Sequence, residues 1–393
     1  MIIFGNRAHY SAIGGVENSI RSLLKVVSDR QSRAIMVCRE PIANESLDVA
    51  SMDLPSGIEL MTFKDEYSTH PLIRLPYLPG GGKSLPPLYS ELFAQYPDAP
   101  VVVRHHMHVL AAHRAGFRDV RYLVPSVSIN QLRAEQMEGP ILRRLSLFIH
   151  MAVDGWLQVR AFKLAKLYVF SVSMEEQVRQ RLPRLRQNVP INKVLPGIDL
   201  TRFKPATEQE RSLLRQRLNL PTDDKLILFV GRFVQAKGLQ YLLSSMASMP
   251  IDYKLILVGE GEFELAMRTQ VKSLSLDDRV IFAGSTSRPE DYYRACDSFV
   301  MSSTYEPLGQ TILEAAACGL RVAAFRAQAG VDTATQELGL DEMIHYADNL
   351  TAASLGQAIT LSLEASVTTE LAESDQLFRS SFSWETLLAT LIE

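Results

Sequence analysis

Two cations stand close together where an apolar run gives way to a helical pattern. In FVGRFVQAKG (229–238), the apolar run ends at Gly231, and Arg232 and Lys237 lie among the residues that follow. A helix N-terminus presents unpaired backbone N–H groups, and cations beside it strengthen the attraction for an anion. Arginine supplies a planar fork of donors and lysine a compact charge, a pair suited to a diphosphate. The alternative is a loop with two solvated cations.

Two carboxylates lie eight residues apart in YEPLGQTILEAAACGLRVA (305–323), where Glu306 precedes a predicted helix and Glu314 lies inside it. On an ideal helix of ~100° per residue, that step is roughly 80°, which predicts that both line one quadrant. A carboxylate that faces a cleft can accept two hydrogen bonds from the vicinal hydroxyls of a ribose.

The residues between the two glutamates suit a helix start. Pro307 is typical of a first helical turn, and Leu308 and Gly309 would present backbone N–H groups to a phosphate. The alternative interpretation makes Glu306 a helix cap and Glu314 a solvated residue. The apolar neighbours of Glu314 favour a position that is not fully exposed.

Short apolar runs alternate with helical patterns along the chain, which predicts an α/β protein built from parallel sheets. We predict two doubly wound, Rossmann-like domains, 1–195 and 196–378, followed by a C-terminal helix in 379–393. Two such domains facing each other would form a cleft at the carboxyl ends of both sheets, where ligands of these folds bind.

Composition narrows the class of protein. Apolar residues make up 47% and charged residues 22%, which is ordinary for a globular chain. Three cysteines without CxxC spacing exclude a disulfide framework and a thiolate zinc site.

Because the start shows no signal peptide and no apolar run reaches ~20 residues, we expect a cytoplasmic protein. A formal net charge of -3 gives no reason to expect a nucleic-acid partner.

Positive charge is concentrated in residues 101–200, which hold 15 lysines and arginines against 7 acidic residues. Within this stretch, 139–166 mixes Leu, Ile, Phe and Trp156 with several basic residues. One interpretation is a basic amphipathic surface in peripheral contact with an anionic membrane. The other is a core helix with a solvated basic face.

The motifs GGVE, LPGID, GRFxxxKG, VGEG, E-x7-E and FSWE follow one another in an order that resembles the retaining glycosyltransferases of family 4, which have the GT-B fold. The resemblance covers nearly the whole chain. It implies an acceptor-binding first domain and a second domain that binds a nucleotide-diphosphate sugar. By resemblance, Arg232 and Lys237 hold the diphosphate, Glu314 binds the ribose, and Glu306 contacts the transferred sugar. Gly15 would bring backbone amides close to the donor phosphates or the acceptor.

Arg232, Lys237 and Glu306 are therefore the predicted catalytic residues. The predicted donor-binding residues are Gly15, Gly231, Leu308, Gly309 and Glu314. No metal and no cofactor are expected, because fixed cations can stabilise the departing diphosphate and the sequence lacks Asp-x-Asp. The resemblance implies transfer of a hexosyl group with retention of configuration.

The first domain departs from the family pattern. Many members carry a histidine where this chain reads YLVPSVSIN (122–130), and its histidines come one predicted strand earlier, in RHHMH (104–108). His105 or His106 could reach the donor or acceptor from that strand end. The alternative is a packed or solvated histidine. A metal site made with His108 is disfavoured, since neighbours on a strand point to opposite faces.

Three functions remain open from the sequence. The first is a glycosyltransferase acting on a saccharide or glycolipid, by family precedent in polysaccharide or lipopolysaccharide assembly. The second is an epimerase or phosphorylase of the same architecture. The third is a catalytically silent scaffold that only binds a sugar nucleotide.

Overall fold

The computed structural model describes residues 1–12, 14–41, 53–64, 84–127, 141–182, 189–364, 378 and 381–393. The chain forms two compact units. The first comprises Met1–Gly197 together with Trp384–Glu393, and the second comprises Ile198–Ser383. The C-terminal segment thus returns to the first unit.

The first unit is built on a seven-stranded parallel sheet in the order β3-β2-β1-β4-β5-β6-β7. Its strands are short and rich in β-branched residues. They are β1 (Ile2–Gly5), β2 (Ala34–Arg39), β3 (Ile58–Phe63), β4 (Val101–Val103), β5 (Val120–Leu123), β6 (Lys166–Val169) and β7 (Ile191–Lys193).

The described helices of this unit include a long N-terminal one whose apolar stripe faces the sheet. Ile20, Leu23, Leu24 and Val27 are buried, as their helical spacing predicts. The helices are α1 (Gly15–Asp29), α2 (Leu85–Gln95), α3 (His106–Ala115), α4 (Ile141–Phe162), α5 (Val172–Arg181) and, at the end of the chain, α12 (Trp384–Ile392).

The second unit is built on a six-stranded parallel sheet in the order β10-β9-β8-β11-β13-β15, accompanied by a two-stranded ladder of β12 and β14. The strands are β8 (Lys225–Val230), β9 (Tyr253–Val258), β10 (Val280–Gly284), β11 (Ser298–Met301), β12 (Tyr305–Glu306), β13 (Arg321–Phe325), β14 (Asp332–Thr333) and β15 (Ile344–Ala347). The helices are α6 (Glu208–Arg217), α7 (Leu239–Met246), α8 (Glu264–Ser273), α9 (Pro289–Ala295), α10 (Gln310–Ala317) and α11 (Ala352–Glu364).

Both faces of the second sheet are buried. Leu226 and Leu228 of β8 enter one hydrophobic cluster, whereas Ile227 and Phe229 enter another on the opposite face. This alternation follows from the two-residue period of a strand. When only the strands of each sheet are counted in chain order, both sheets begin with the strand order 3-2-1-4-5-6 of doubly wound dinucleotide-binding domains. The predicted fold class, two Rossmann-like α/β domains, is confirmed.

Gly197, of the LPGID motif, packs against the first residue of α12. A Cβ built on Gly197 would lie 2.3 Å from Cδ2 and 2.6 Å from the backbone N of Trp384, so no side chain fits without moving both the indole ring and the backbone. The position therefore demands glycine for close packing.

We expect Gly197→Ala to destabilise the first unit by about 1–3 kcal/mol, the usual cost of overpacking. Denaturant unfolding followed by tryptophan fluorescence measures the change. Gly356→Ala in α11 is the matched control, because its Cβ would meet Ser245 Cβ at an ordinary 3.6 Å and alanine favours helix. Equal stability of the two variants would contradict the packing argument.

Candidate functional site

The predicted anion-binding residues follow two neighbouring strands of the second sheet. Gly231 follows β8, and Ser302 follows β11, which pairs directly with β8. The strand order reverses between these two strands, and their carboxyl ends open a crevice there. The site is thus placed where doubly wound sheets bind their ligands.

The backbone around Lys237 is fixed against the end of β11. Lys237 ends a short 3-10 helix that begins at Gln235, and Gly238 follows with a φ of 61°. A Cβ on Gly238 would lie 2.0 Å from the Ser302 carbonyl oxygen, so both the conformation and the contact require glycine. The Ser302 hydroxyl in turn donates to the Lys237 carbonyl at 2.7 Å.

Lys237 and Glu306 form an ion pair between Nζ and Oε2. Their side chains are only 19% and 13% exposed, so the pair is shielded from bulk water. Glu306 lies on β12, opposite Thr333 of β14, and its carbonyl accepts from the Ala334 amide at 2.8 Å. The structure therefore brings together one predicted cation and one predicted carboxylate that are far apart in the sequence.

Helix α10 begins later than the sequence predicts. Gly309, with a φ of 75°, is its N-cap, and the helix starts at Gln310 rather than at Pro307. The Gly309 amide points toward Glu306 Oε1 at 3.5 Å, a long contact. Gly309 is buried and Leu308 is half-buried. The Gly309 N–H is thus directed at a carboxylate of the protein, whereas the sequence predicts that it faces a bound phosphate.

Glu314 lies within α10 and accepts a hydrogen bond from the Tyr293 hydroxyl at 2.9 Å. Burial raises the pKa of Glu314 to about 7, although Tyr293 and the charge of Arg202 act against the rise. The charge of Glu290 adds to it. The carboxyl group therefore changes its charge close to neutral pH.

The prediction that the two glutamates share one side of a helix was wrong. Glu306 belongs to a strand that precedes α10, so the helical step does not relate it to Glu314. Their contacts also differ, because Glu306 pairs with Lys237 whereas Glu314 contacts Tyr293.

Arg232 follows Gly231 and is exposed. Within the described ranges, no carboxylate forms an ion pair with Arg232, so its guanidinium is available to a ligand. Gly231 lies beside Lys237, since a Cβ on it would come 3.8 Å from Lys237 Cε. Arg232 and Lys237 could therefore both bind a diphosphate that approaches the carboxyl end of β8.

Gly15 lies in the first unit, where it is the first residue of α1 and is exposed. In the part of the chain that the structure describes, nothing lies within 4 Å of the position that its Cβ would occupy. A side chain at this position would therefore contact none of those residues.

His105 and His106 follow β4, but they begin a helix instead of ending a strand. His105 is the N-cap of α3, and its Nδ1 accepts from the Met107 amide at 3.3 Å. Burial, aided by the charges of His106, Arg7 and His108, holds the pKa of His105 well below its usual range. A neutral ring that accepts at Nδ1 carries its proton on Nε2 and can donate from there.

His106 is buried, and its Nε2 lies 3.1 Å from Asp154 Oδ1 of α4. Its ring stacks on that of His105 with centroids 4.2 Å apart. The neighbouring His108 bonds the Tyr89 hydroxyl at 2.9 Å, and burial lowers the pKa of His108 to about 3. Only His105 of the two predicted contact histidines is partly exposed.

Among the described residues, no group of three or more His, Cys, Asp or Glu side chains is arranged to hold a metal ion. None of the helices in the described ranges is both long and apolar enough to cross a bilayer.

Sequence reasoning missed Tyr293 and Ser302. Tyr293 is buried in α9 and contacts Glu314 across the fold, and Ser302 fixes the Lys237 backbone. Neither residue stands in a motif, and each acts through a partner more than 20 positions away. No local signal could have identified them.

Similarity to known proteins agrees with this fold. Residues 210–366 match the family model for glycosyl transferases group 1. Over its whole length the chain is similar to the Anabaena HepE structure solved with UDP and glucose, with a TM-score of 0.73 and 18% identity. The similarity covers 99% of this chain and 97% of that one. The two units together define a GT-B protein.

This match covers less than half of the chain, and it confirms the resemblance to glycosyltransferases. The chain is 36% identical to mannosylfructose-phosphate synthase of Agrobacterium fabrum over 142 residues, 33% of this chain and 31% of that protein. It is 38% identical to the lipopolysaccharide core biosynthesis glycosyltransferase LpsE of Rhizobium meliloti over 114 residues, 29% of this chain and 33% of that protein. The matches thus span about a third of each relative.

Proposed function

We propose that the chain is a metal-independent, retaining glycosyltransferase that moves a hexosyl group from a nucleotide-diphosphate sugar to a saccharide or glycolipid. The observation that carries this proposal is the Lys237–Glu306 ion pair at the carboxyl ends of β8 and β11. It supports the proposal because doubly wound sheets bind nucleotides at the carboxyl ends of their strands, where this cation and this carboxylate lie.

The cations act on the leaving group. As the bond between the sugar C1 and the diphosphate oxygen breaks, its electron pair passes to the diphosphate and negative charge grows there. Lys237 Nζ has three protons, so it can keep its contact with Glu306 and still donate to a phosphate oxygen. Because this interaction strengthens as charge develops, it stabilises the transition state more than the bound donor. Arg232 adds a second set of donors.

The carboxylates act on the rest of the donor. Glu306 holds Lys237 in place and can accept a hydrogen bond from a hydroxyl of the transferred sugar. Glu314 can accept from ribose hydroxyls when it is ionised. The acceptor oxygen then bonds to C1 on the face that the diphosphate leaves, and its proton passes to an oxygen of the departing diphosphate. In this proposed transfer, the sugar forms no covalent bond with the enzyme.

Names among the relatives support this activity and suggest its setting. LpsE is named for lipopolysaccharide core biosynthesis, and the Anabaena structure contains UDP and glucose. We therefore propose glycan assembly from a sugar nucleotide, with the first unit binding the acceptor.

The first experiment is a thermal-shift screen against uridine, guanosine and adenosine diphosphate sugars, followed by an assay of the best ligand without acceptor. Slow release of the nucleoside diphosphate and free sugar supports a transferase. Conversion to another nucleotide sugar would identify an epimerase, and release that requires inorganic phosphate a phosphorylase. Binding with no conversion, also in the presence of saccharide acceptors, would identify a scaffold.

The variant Glu306→Gln tests the Lys237–Glu306 ion pair, on which the proposed function rests. Glutamine keeps the shape but loses the charge that holds Lys237, so we expect lower turnover with nearly unchanged affinity for the nucleoside diphosphate. Glu262→Gln, at an exposed carboxylate of the same unit, is the control. Full turnover in the Glu306 variant would contradict the proposed role of the ion pair.

A further inference from the structure

Tyr293 of α9 is fixed beside the carboxylate of Glu314. Its side chain is fully buried, and its hydroxyl donates to Glu314 Oε2 at 2.9 Å. The ring packs edge-on against Phe203 and tilted against Phe299, with centroids 5.8 Å and 5.5 Å from its own. Close packing on two sides leaves the ring little room to rotate. The hydroxyl is therefore held in one place.

The hydroxyl of Tyr293 is not needed to fill its surroundings. The ring belongs to a hydrophobic cluster of the second unit, which a phenylalanine ring would fill almost equally well. A hydroxyl buried among apolar groups is costly unless it is hydrogen-bonded. Among the described residues, Glu314 alone accepts from it. The purpose of the hydroxyl is thus to be found at Glu314.

Glu314 keeps most of its capacity to accept hydrogen bonds. A carboxylate has about four lone-pair positions on its two oxygens. Tyr293 uses one of them on Oε2, and no residue in the described ranges hydrogen-bonds Oε1. The last torsion of a glutamate side chain is broad when nothing holds it. Because Tyr293 holds one oxygen, the remaining positions are kept in a fixed direction.

The groups that face Glu314 act on its charge in opposite directions. Burial raises its pKa, the hydrogen bond from Tyr293 and then the charge of Arg202 lower it, and the charge of Glu290 raises it. Arg202 is itself paired with Glu290 at 2.7 Å. The nearby Cys318 adds no charge, because burial raises the pKa of its thiol. Tyr293 is therefore the strongest of the contacts that favour the carboxylate.

We propose that Tyr293 is a positioning residue of the donor site: its hydroxyl keeps Glu314 ionised and oriented for the 2′- and 3′-hydroxyls of the bound nucleotide. This role rests on the proposed function, in which Glu314 binds the ribose. It adds a selectivity for ribonucleotide donors. A deoxyribonucleotide leaves an oriented, half-buried carboxylate without its donors, and such an unpaired group is costly.

A ribonucleotide and its 2′,3′-dideoxy form separate this role from a structural one. Calorimetric titration of the full-length protein with UDP, GDP and ADP finds the nucleotide that binds most tightly, and its dideoxy form is the second probe. Tyr293→Phe should weaken ribonucleotide binding about tenfold, the loss expected for a hydrogen bond to a charged group. Binding of the dideoxy form should hardly change. Tyr292→Phe, at the next residue of α9, is the matched control and should alter neither.

The possible outcomes are distinct. Equal losses for the two nucleotides would give Tyr293 a structural role only, and an unchanged ribonucleotide affinity would remove its role. Either result overturns the inference and leaves the proposed function standing. If the parent binds none of the three nucleotides, or binds the ribose and dideoxy forms equally, the proposed ribose contact itself fails. Thermal unfolding without ligand checks that Tyr293→Phe, which keeps the ring, is folded.

The pH dependence of binding gives a second readout. Glu314 binds the ribose as a carboxylate, so affinity should be full above its pKa of about 7 and fall as the pH drops through it. Without the hydrogen bond from Tyr293 this pKa rises, and the midpoint for Tyr293→Phe should move to higher pH. Comparing the two proteins with the same nucleotide cancels the ionisation of its phosphates. An unmoved midpoint would overturn the inference.

Discussion

Lys237→Ala is expected to lower turnover of the donor by about a hundred- to a thousandfold, or about 2–4 kcal/mol of transition-state stabilisation. The ammonium is shielded and fixed by Glu306, so water cannot replace it as the diphosphate departs. Because the charge on the leaving group grows during the reaction, the loss should appear mainly in kcat. Steady-state rates of nucleoside diphosphate release, with the acceptor found by screening, measure it.

Lys272→Ala is the matched control for this variant, because Lys272 is an exposed lysine of α8 in the same unit. The Lys237 variant leaves Glu306 half-buried without its cation, so its folding is checked by thermal unfolding. The double variant Lys237→Ala/Glu306→Gln removes both charges and separates lost stability from lost catalysis. A kcat within a few-fold of the parent in a folded Lys237 variant would refute the role assigned to this lysine.

Glu314→Gln is expected to stabilise the second unit at high pH while weakening nucleotide binding. Burial raises the pKa of Glu314 from an ordinary value of 4.5 to about 7 in the folded chain, so the folded state holds this proton more tightly than the unfolded one. The stability of the parent therefore falls as pH rises from about 4.5 to about 7. Above that window the cost is on the order of 3 kcal/mol. Glutamine cannot ionise and keeps an oxygen for Tyr293.

Denaturant unfolding at pH 5 and pH 8 measures this effect. The variant should exceed the parent clearly at pH 8 and approach it at pH 5, whereas Glu262→Gln should show no such pH dependence. Titration with the nucleoside diphosphate should show weaker binding by Glu314→Gln, since ribose hydroxyls lose a charged acceptor. A stability difference that does not change with pH would show that ionisation of Glu314 does not oppose folding.

Much of the fold could be predicted because its strands carry a local signal. The runs that became β1, β2 and β8 are short, apolar and β-branched, and the stripe of α1 repeats at helical spacing. Strand β3, in contrast, reads IELMTF, where two polar residues interrupt the apolar pattern. Strand β7 has only three residues, none of them fully buried. Strand β3 is stabilised by pairing with β2, and β7 by pairing with β6. The sequence of each strand alone does not indicate this pairing.

The candidate site was predictable as residue types but not as contacts. Lys237 and Glu306 stood out because charged groups follow the ends of apolar runs. Their pairing depends on β8 and β11 being neighbours, a fact of topology. The start of α10 was misplaced because Pro307 suits a first turn, whereas Tyr305 and Glu306 pair with β14 and delay the helix to Gln310. Tertiary pairing overrode the local preference.

The ion pair of Lys237 and Glu306 also has a consequence for which anions can enter. The Glu306 carboxylate already offsets the charge of the Lys237 ammonium, so a small ion such as sulfate meets a weaker attraction there than at an unpaired lysine, although Nζ still has protons to donate. A ligand that binds Arg232, backbone amides and Lys237 at the same time does not depend on the contact with the ammonium alone. We therefore expect the site to bind simple salts weakly and to favour ligands that make several contacts at once.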